Sequence, residues 1–295
     1  MPETQTAVTL KTLLASYPNT AALRDGRLTS PMVHFDFEPI KTANKAFKAL
    51  VRDQKFDLGE LAVCTFLQAR AYGKPYVLMP ATIVARGQHH TIFYNPAHGH
   101  LSPSDLNGRR VGVRAYTQTT GAWLRGILEE DYGVDFRTIQ WITFEAPHLA
   151  EYPDPAWVQR APEGKELLQM LVDGDIDAAI FGSENPEGLA PLIPDAKSAA
   201  EQWAARHGGI PINHMMVVRE SISRSHPEVV REVFRLIRDS AHSGGEPGGP
   251  GSLRFGVEAV RKSLETIIGY SERQGLIPHR FTVDELFNDV TRSLS

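Results

Sequence analysis

The stretch RVGVRAYTQTTGAWLRGILEEDYGV, residues 109–133, decides how the rest of the chain is read. It opens on a short apolar run, Val111-Gly112-Val113, and ends as a helix stopped by Gly133. Between strand and helix stands Tyr116-Thr117-Gln118-Thr119-Thr120-Gly121, polar and uncharged. The first N–H groups of a helix have no intrahelical partner, and the macrodipole makes that end partly positive. Hydroxyls and an amide placed there add further donors for an anion. The chain has neither the GxxxxGK[ST] of a phosphate loop nor the GxGxxG of a dinucleotide fold. The turn therefore suits a small carboxylate, with Thr117, Gln118, Thr119 and Thr120 as ligand contacts. The competing account is helix capping alone, which for one threonine contributes about 0.5–2 kcal/mol.

Working outward, the same strand–helix rhythm recurs on both sides. Short β runs are predicted at 8–13, 33–38, 58–63 and 76–84, with helices over 42–52 and 66–72. A strand over 90–95 and a turn-rich loop follow. The alternation then restarts: strand 110–113, helix 119–132, strand 138–144, helix 164–173, strand 177–182. A strand at 215–219, an amphipathic helix in PEVVREVFRLIRDSAHS, a glycine-rich loop over 244–252 and a last helix near 253–274 complete the chain. Such alternation implies α/β architecture with largely parallel sheets. Two lobes are expected, one from 1–89 with 215–295, the other inserted as 90–214. A ligand belongs in the cleft between them, beyond the carboxyl ends of the strands.

The 295 residues are 42% hydrophobic and 22% charged, enough apolar material for a real core. A net charge of -4 without long runs of one sign argues against nucleic acid or a membrane as general partners. The single cysteine, Cys64, rules out an intrachain disulfide and reads as a small core residue. MPETQTAVTLKTLLASYP has no secretory-signal pattern, so a cytoplasmic location is expected. Self-association into a homo-oligomer is left open.

Several side chains outside the turn carry chemistry. Glu60 lies within an apolar strand, so its carboxylate is either paired or functional, or else sits at an exposed edge. Cys64-Thr65, where that strand turns into a helix, is the first lobe's counterpart of the Thr117 turn. VARGQHHTIFYN, 84–95, places Arg86, His89 and His90 at the first crossing between lobes. Arginine holds a carboxylate through two parallel hydrogen bonds, and histidine exchanges protons near neutral pH. His214, in INHMM, stands at the second crossing and faces either the cleft or the core. His98 and His100 read as solvated loop residues. No metal motif, GxSxG, HExxH or CxxC occurs.

The stretches FDLGELAVCTFLQA, HHTIFYN, DLNGRRVGVRAYTQTTGAWLRGILEEDYGV, LLQMLVDGDIDAAIFG, PINHMMVVR and YSERQGLIPHRFTVDELF resemble the 4,5-dihydroxyphthalate decarboxylase family. The resemblance implies a type II periplasmic-binding-protein fold. It also implies decarboxylation of a hydroxylated aromatic dicarboxylate without an organic cofactor. On that reading Arg86, Thr65, Thr117, Gln118, Thr119 and Thr120 grip the substrate. Glu60 is the base, His89 or His90 the acid, and His214 a substitute for either. A divalent ion shared by Glu60 and a histidine is left open. The alternative is a non-catalytic solute-binding or sensor protein for a small aromatic carboxylate.

Overall fold

The computed structural model describes residues 7–182, 186–245 and 251–295. Its strands are β1 (Val8–Leu13), β2 (Val33–Phe37), β3 (Leu58–Ala62), β4 (Tyr76–Ala85), β5 (Ile92–Tyr94), β6 (Arg110–Val113), β7 (Gln140–Thr143), β8 (Val158–Arg160), β9 (Ala178–Ile180), β10 (Ala190–Pro191) and β11 (Ile212–Arg219). The α-helices are α1 (Ala21–Arg24), α2 (Phe47–Val51), α3 (Val63–Ala71), α4 (Thr119–Tyr132), α5 (Leu167–Asp173), α6 (Ala196–His207), α7 (Glu220–Ser225), α8 (Pro227–Gly244), α9 (Val257–Arg273) and α10 (Asp289–Arg292).

Two sheets form, ordered β2-β1-β3-β11-β4 and β10-β5-β9-β6-β7-β8. Each is mixed rather than largely parallel. β11 runs antiparallel between β3 and β4, and β5 antiparallel between β9 and β10. These are the first strands after each crossing, so the chain enters each sheet from the cleft side and must run against its neighbours. The crossings lie side by side, with the Arg86 N–H donating to the Pro211 carbonyl at 3.0 Å.

Strands β3 and β4, the latter at the edge of the first sheet, are buried on both faces, which is why they read as continuous apolar runs instead of alternating ones. The α8 helix lays Val229, Val230, Val233, Phe234 and Ile237 on one face of the first sheet. The period of those positions is helical, and the opposite face carries its arginines and acids to solvent. A larger apolar cluster runs from Leu61 and Phe66 through Trp123 and Trp141 and so joins both lobes.

Some expected boundaries move. Helix α3 starts at Val63, directly off β3, and the helix expected over 42–52 is a 3-10 turn, Ala43–Ala46, followed by α2. The strand expected from residue 90 begins at Ile92, after a 3-10 turn at His89–Thr91. Of the glycine-rich loop, residues 246–250 lie outside the described residues. The alternation did not announce α6, whose only buried residue is Trp203.

The α9 helix leaves the first lobe and packs along α4, after which the chain returns to lay α10 on β4. Contact between α4 and α9 is close at Gly126, where a Cβ would overlap the Tyr270 ring. Gly126→Ala is therefore expected to destabilise the fold by about 1–3 kcal/mol through overpacking. A chemical denaturation midpoint identical to that of the unsubstituted protein would show that the two helices separate freely.

Candidate functional site

A cavity of about 900 Å³ lies between the sheets. Two helices open onto it at their N-termini. On the second lobe, β6 ends at Val113 and the chain turns through Thr117 and Gln118 into α4. Gln118 makes no side-chain cap, and its carbonyl accepts the first helical bond from the Ala122 N–H at 2.9 Å. The N–H groups of Thr119, Thr120 and Gly121 precede that bond and have no intrahelical partner. Thr117 is buried, and its hydroxyl has no hydrogen-bond partner among the described residues although the residue lines the cavity. On the first lobe, β3 ends at Ala62 and α3 begins, again without a side-chain cap. The two starts are tied together: the Cys64 N–H donates to Thr119 Oγ1 at 3.2 Å. The Cys64 thiol is itself buried, and burial pushes it above its ordinary range.

Behind this pair lies a buried carboxylate paired with an imidazole. Glu60, in β3, is completely buried. Its carboxylate accepts from the Ala15 N–H at 3.1 Å and the Tyr17 hydroxyl at 2.7 Å, and meets His214 Nδ1 at 2.6 Å. Antiparallel pairing sets this up, because β11 lies on β3 with His214 opposite Ala62 and Met216 opposite Glu60. Burial, reinforced by the Glu60 charge, pushes the Tyr17 hydroxyl up, so it remains a donor. The Nδ1–Glu60 contact leaves Nε2 of His214 as the ring atom available on the cavity side.

A second histidine reaches the same wall from the other lobe. His148 sits in the loop after β7, and its Nδ1 meets Thr65 Oγ1 at 2.8 Å. Phe47 stands edge-on to both imidazoles, its ring centroid 5.5 Å from His148 and 5.4 Å from His214. Arg52 holds the loop by donating to the His148 carbonyl at 2.6 Å and the Pro147 carbonyl at 2.8 Å. Burial drives His148 down to about 3, helped by the positive charges of Arg114, Lys48, His214 and Arg52, so the ring is neutral at neutral pH.

The cavity thus gathers Arg86, Thr65, Thr117, Gln118, Thr119, Thr120 and His214, all singled out in the sequence. Arg86 donates to the Gly182 carbonyl at 2.9 Å. Glu60 does not line the cavity and acts on it only through His214. The two adjacent histidines need correcting: neither His89 nor His90 lines the cleft. The first crossing runs against α6, where a Cβ on Gly87 would stand 2.6 Å from that of Ala200. The 3-10 turn that follows buries His89 completely and leaves His90 on the outside. Burial takes His89 down to about 4. His98 and His100 are exposed, as their loop composition implied.

Sequence reasoning missed Tyr17, Phe47, Arg114, His148 and Asn213. Arg114 and Asn213 were within reach, since they flank the turn and His214. Asn213 bridges the hinge, accepting from Gln88 Nε2 at 2.8 Å and donating to Thr120 Oγ1 at 3.3 Å. Arg114 pairs with Glu145 at 3.2 Å on the cavity rim. Among the described residues no cluster of three or more His, Cys, Asp or Glu is arranged to hold a metal ion, and no helix is long and apolar enough to cross a membrane.

Two lobes, two mixed sheets and a polar cleft at opposed helix starts define a type II periplasmic-binding-protein-like fold. Its solved neighbours include the alkanesulfonate-binding protein SsuA from Xanthomonas axonopodis pv. citri, with a TM-score of 0.59 and 15% identity over 95% of this chain and 98% of that one. In sequence the chain resembles 4,5-dihydroxyphthalate decarboxylases. It is 30% identical over 203 residues to the protein of that name from Comamonas testosteroni, covering 64% of this chain and 61% of that protein. It is 28% identical over 179 residues to the one from Pseudomonas putida, covering 56% of this chain and 69% of the relative. The match therefore spans less than two thirds of the first relative's length. No family model matches the chain.

Proposed function

We propose that the interlobe cleft binds a hydroxylated aromatic dicarboxylate and removes one carboxyl group as carbon dioxide, with 4,5-dihydroxyphthalate giving 3,4-dihydroxybenzoate as the first reaction to try. The observation that carries this reading is the Glu60–His214 pair, which opens onto the same cavity as the uncapped start of α4. The names of the two relatives point the same way.

In this reading the carboxylate that stays is held by the N–H groups of Thr119, Thr120 and Gly121, by the Thr117 hydroxyl and by Arg86. Each charge-assisted hydrogen bond contributes roughly 1.5–3 kcal/mol. Glu60 fixes His214 with its Nδ1 proton toward the carboxylate, as the acid of a catalytic triad orients its imidazole. Protonated His214 delivers a proton from Nε2 to the ring carbon bearing the departing carboxylate. The hydroxyl para to that carbon feeds electrons into the ring and spreads the positive charge. His148, kept neutral, accepts the hydrogen bond from that hydroxyl. The carbon–carbon bond then breaks, its electron pair restores the aromatic ring, and carbon dioxide leaves. Solvent returns the proton to His214. One proton is consumed and one carbon dioxide released, and the ring itself is the electron sink, so no organic cofactor is invoked.

The second reading is a solute-binding or sensor protein, favoured by the likeness of the fold to a binding protein. Incubation with 4,5-dihydroxyphthalate, with and without chelator, separates the two. Release of carbon dioxide with 3,4-dihydroxybenzoate in equal amount is the expected result. Saturable binding without carbon dioxide release overturns the enzyme in favour of the receptor. A cytoplasmic location belongs to the enzyme reading and is checked by cell fractionation.

A further inference from the structure

We infer that Arg125 is a positioning residue that makes the cleft selective for anions, acting from inside the protein without touching the ligand. The inference rests on the reading that a carboxylate sits at the start of α4.

Arg125 is completely buried, yet no carboxylate among the described residues pairs with it. Its guanidinium donates from Nε to Gln274 Oε1 at 2.7 Å and from Nη2 to the Tyr116 carbonyl at 2.7 Å. The Tyr116 ring centroid lies 4.0 Å from its central carbon and that of Trp141 5.2 Å. All of these partners are neutral. The acid whose charge reaches it, Asp154, is engaged with Arg160 at 3.5 Å. Nη1 has no hydrogen-bond partner among the described residues.

Burying a cation without a counter-charge is costly, and an apolar side chain of the same length avoids that cost. What the charge gains is its position. Helical side chains lean toward the N-terminus, so residue 125 reaches back over the turn that begins α4. Its Nη1 lies 3.2 Å from where a Cβ on Gly121 would be. The charge therefore stands just behind the open N–H groups of Thr119, Thr120 and Gly121 and the unpartnered Thr117 hydroxyl. Held in the buried interior, it acts on that spot with less screening than an exposed charge would and adds to the helix dipole. The counter-ion missing from the interior is the ligand's carboxylate.

Gln274, from the C-terminal stretch YSERQGLIPHRF, completes the device. Its amide donates to the Ala122 carbonyl at 2.9 Å while its oxygen accepts from Arg125. A glutamine at this place orients the guanidinium without cancelling its charge, whereas a glutamate would neutralise it.

The test is calorimetric titration of phthalate into the full chain and three variants, Arg125→Met, Arg125→Lys and Gln274→Glu, each also followed by thermal unfolding. Arg125→Met is expected to weaken phthalate binding about tenfold or more, and Arg125→Lys to keep it within roughly threefold, because the charge and not the fork is what the ligand feels. Gln274→Glu retains the guanidinium and is expected to weaken binding as Arg125→Met does, which keeps the test decisive if Arg125→Met fails to fold. Equal losses for Met and Lys, or unchanged affinity in Gln274→Glu, overturn the inference and leave Arg125 as a brace for the turn. An unsubstituted protein that binds no phthalate removes the anion site itself, and the proposed function with it.

Discussion

His214→Asn is expected to slow decarboxylation by roughly 10²–10⁴-fold while phthalate affinity stays within a few-fold of the original. Asparagine reproduces the donor that Nδ1 offers to Glu60 but has nothing at the position of Nε2, so the buried carboxylate keeps a partner and only the proton carrier is lost. The contact it preserves is the 2.6 Å approach of Nδ1 to Glu60. Glu60→Gln makes the complementary case. A glutamine amide donates to Nδ1, moves the imidazole proton to the wrong nitrogen, and is expected to lower the rate by a similar factor with the site geometry intact. Single-turnover rates and titration on the same preparations check both. Full activity in His214→Asn would remove His214 from the mechanism and assign the proton to another group of the cleft.

The second large effect is on stability in acid. His148 and His89 titrate near 3 and 4 in the folded protein, both held down mainly by burial. An unfolded histidine titrates near about 6.5. Between those values the unfolded chain binds protons that the folded one refuses, so stability is complete above about pH 6.5 and falls as the pH drops. At about 1.4 kcal/mol per pH unit, moving to roughly pH 5 costs about 2 kcal/mol for each ring. Denaturant midpoints between roughly pH 7 and pH 5 are expected to show this slope, and His89→Gln with His148→Gln to flatten it. A double variant with the original slope would mean that neither ring is kept neutral by the fold. Since His148 lines the cleft and His89 does not, a bound ligand is expected to change the contribution of His148 alone.

Much of the site was legible because it is built from local signals. The strand ending at Val113, the polar turn and the helix closed by Gly133 are consecutive in the chain, and each follows from residue type and spacing. Gly133 takes the left-handed conformation that its place past the helix end implies. The Thr65 turn is visible for the same reason. The histidines were a different matter. His89 and His90 adjoin Arg86 in sequence, but a 3-10 turn under α6 directs one ring inward and the other outside. His148 lies in a loop without periodicity, and only Arg52, 96 residues away, and Thr65, 83 residues away, bring it to the cavity.

The order of polar and apolar residues was thus enough to give two α/β lobes, the polar turn that opens α4 onto the cleft, and an acid in β3 that had to find a partner. Tertiary structure decided which partner. Glu60 and His214 are separated by 154 residues and meet because β11 inserts antiparallel beside β3. Periodicity reports which face of an element is buried. It carries no information about which distant element will lie against that face, because that is settled by the joint packing of the whole sheet. The same limit hid Arg125, whose place in a helix was plain from the sequence but whose burial among neutral partners exists only once α9 has closed over α4.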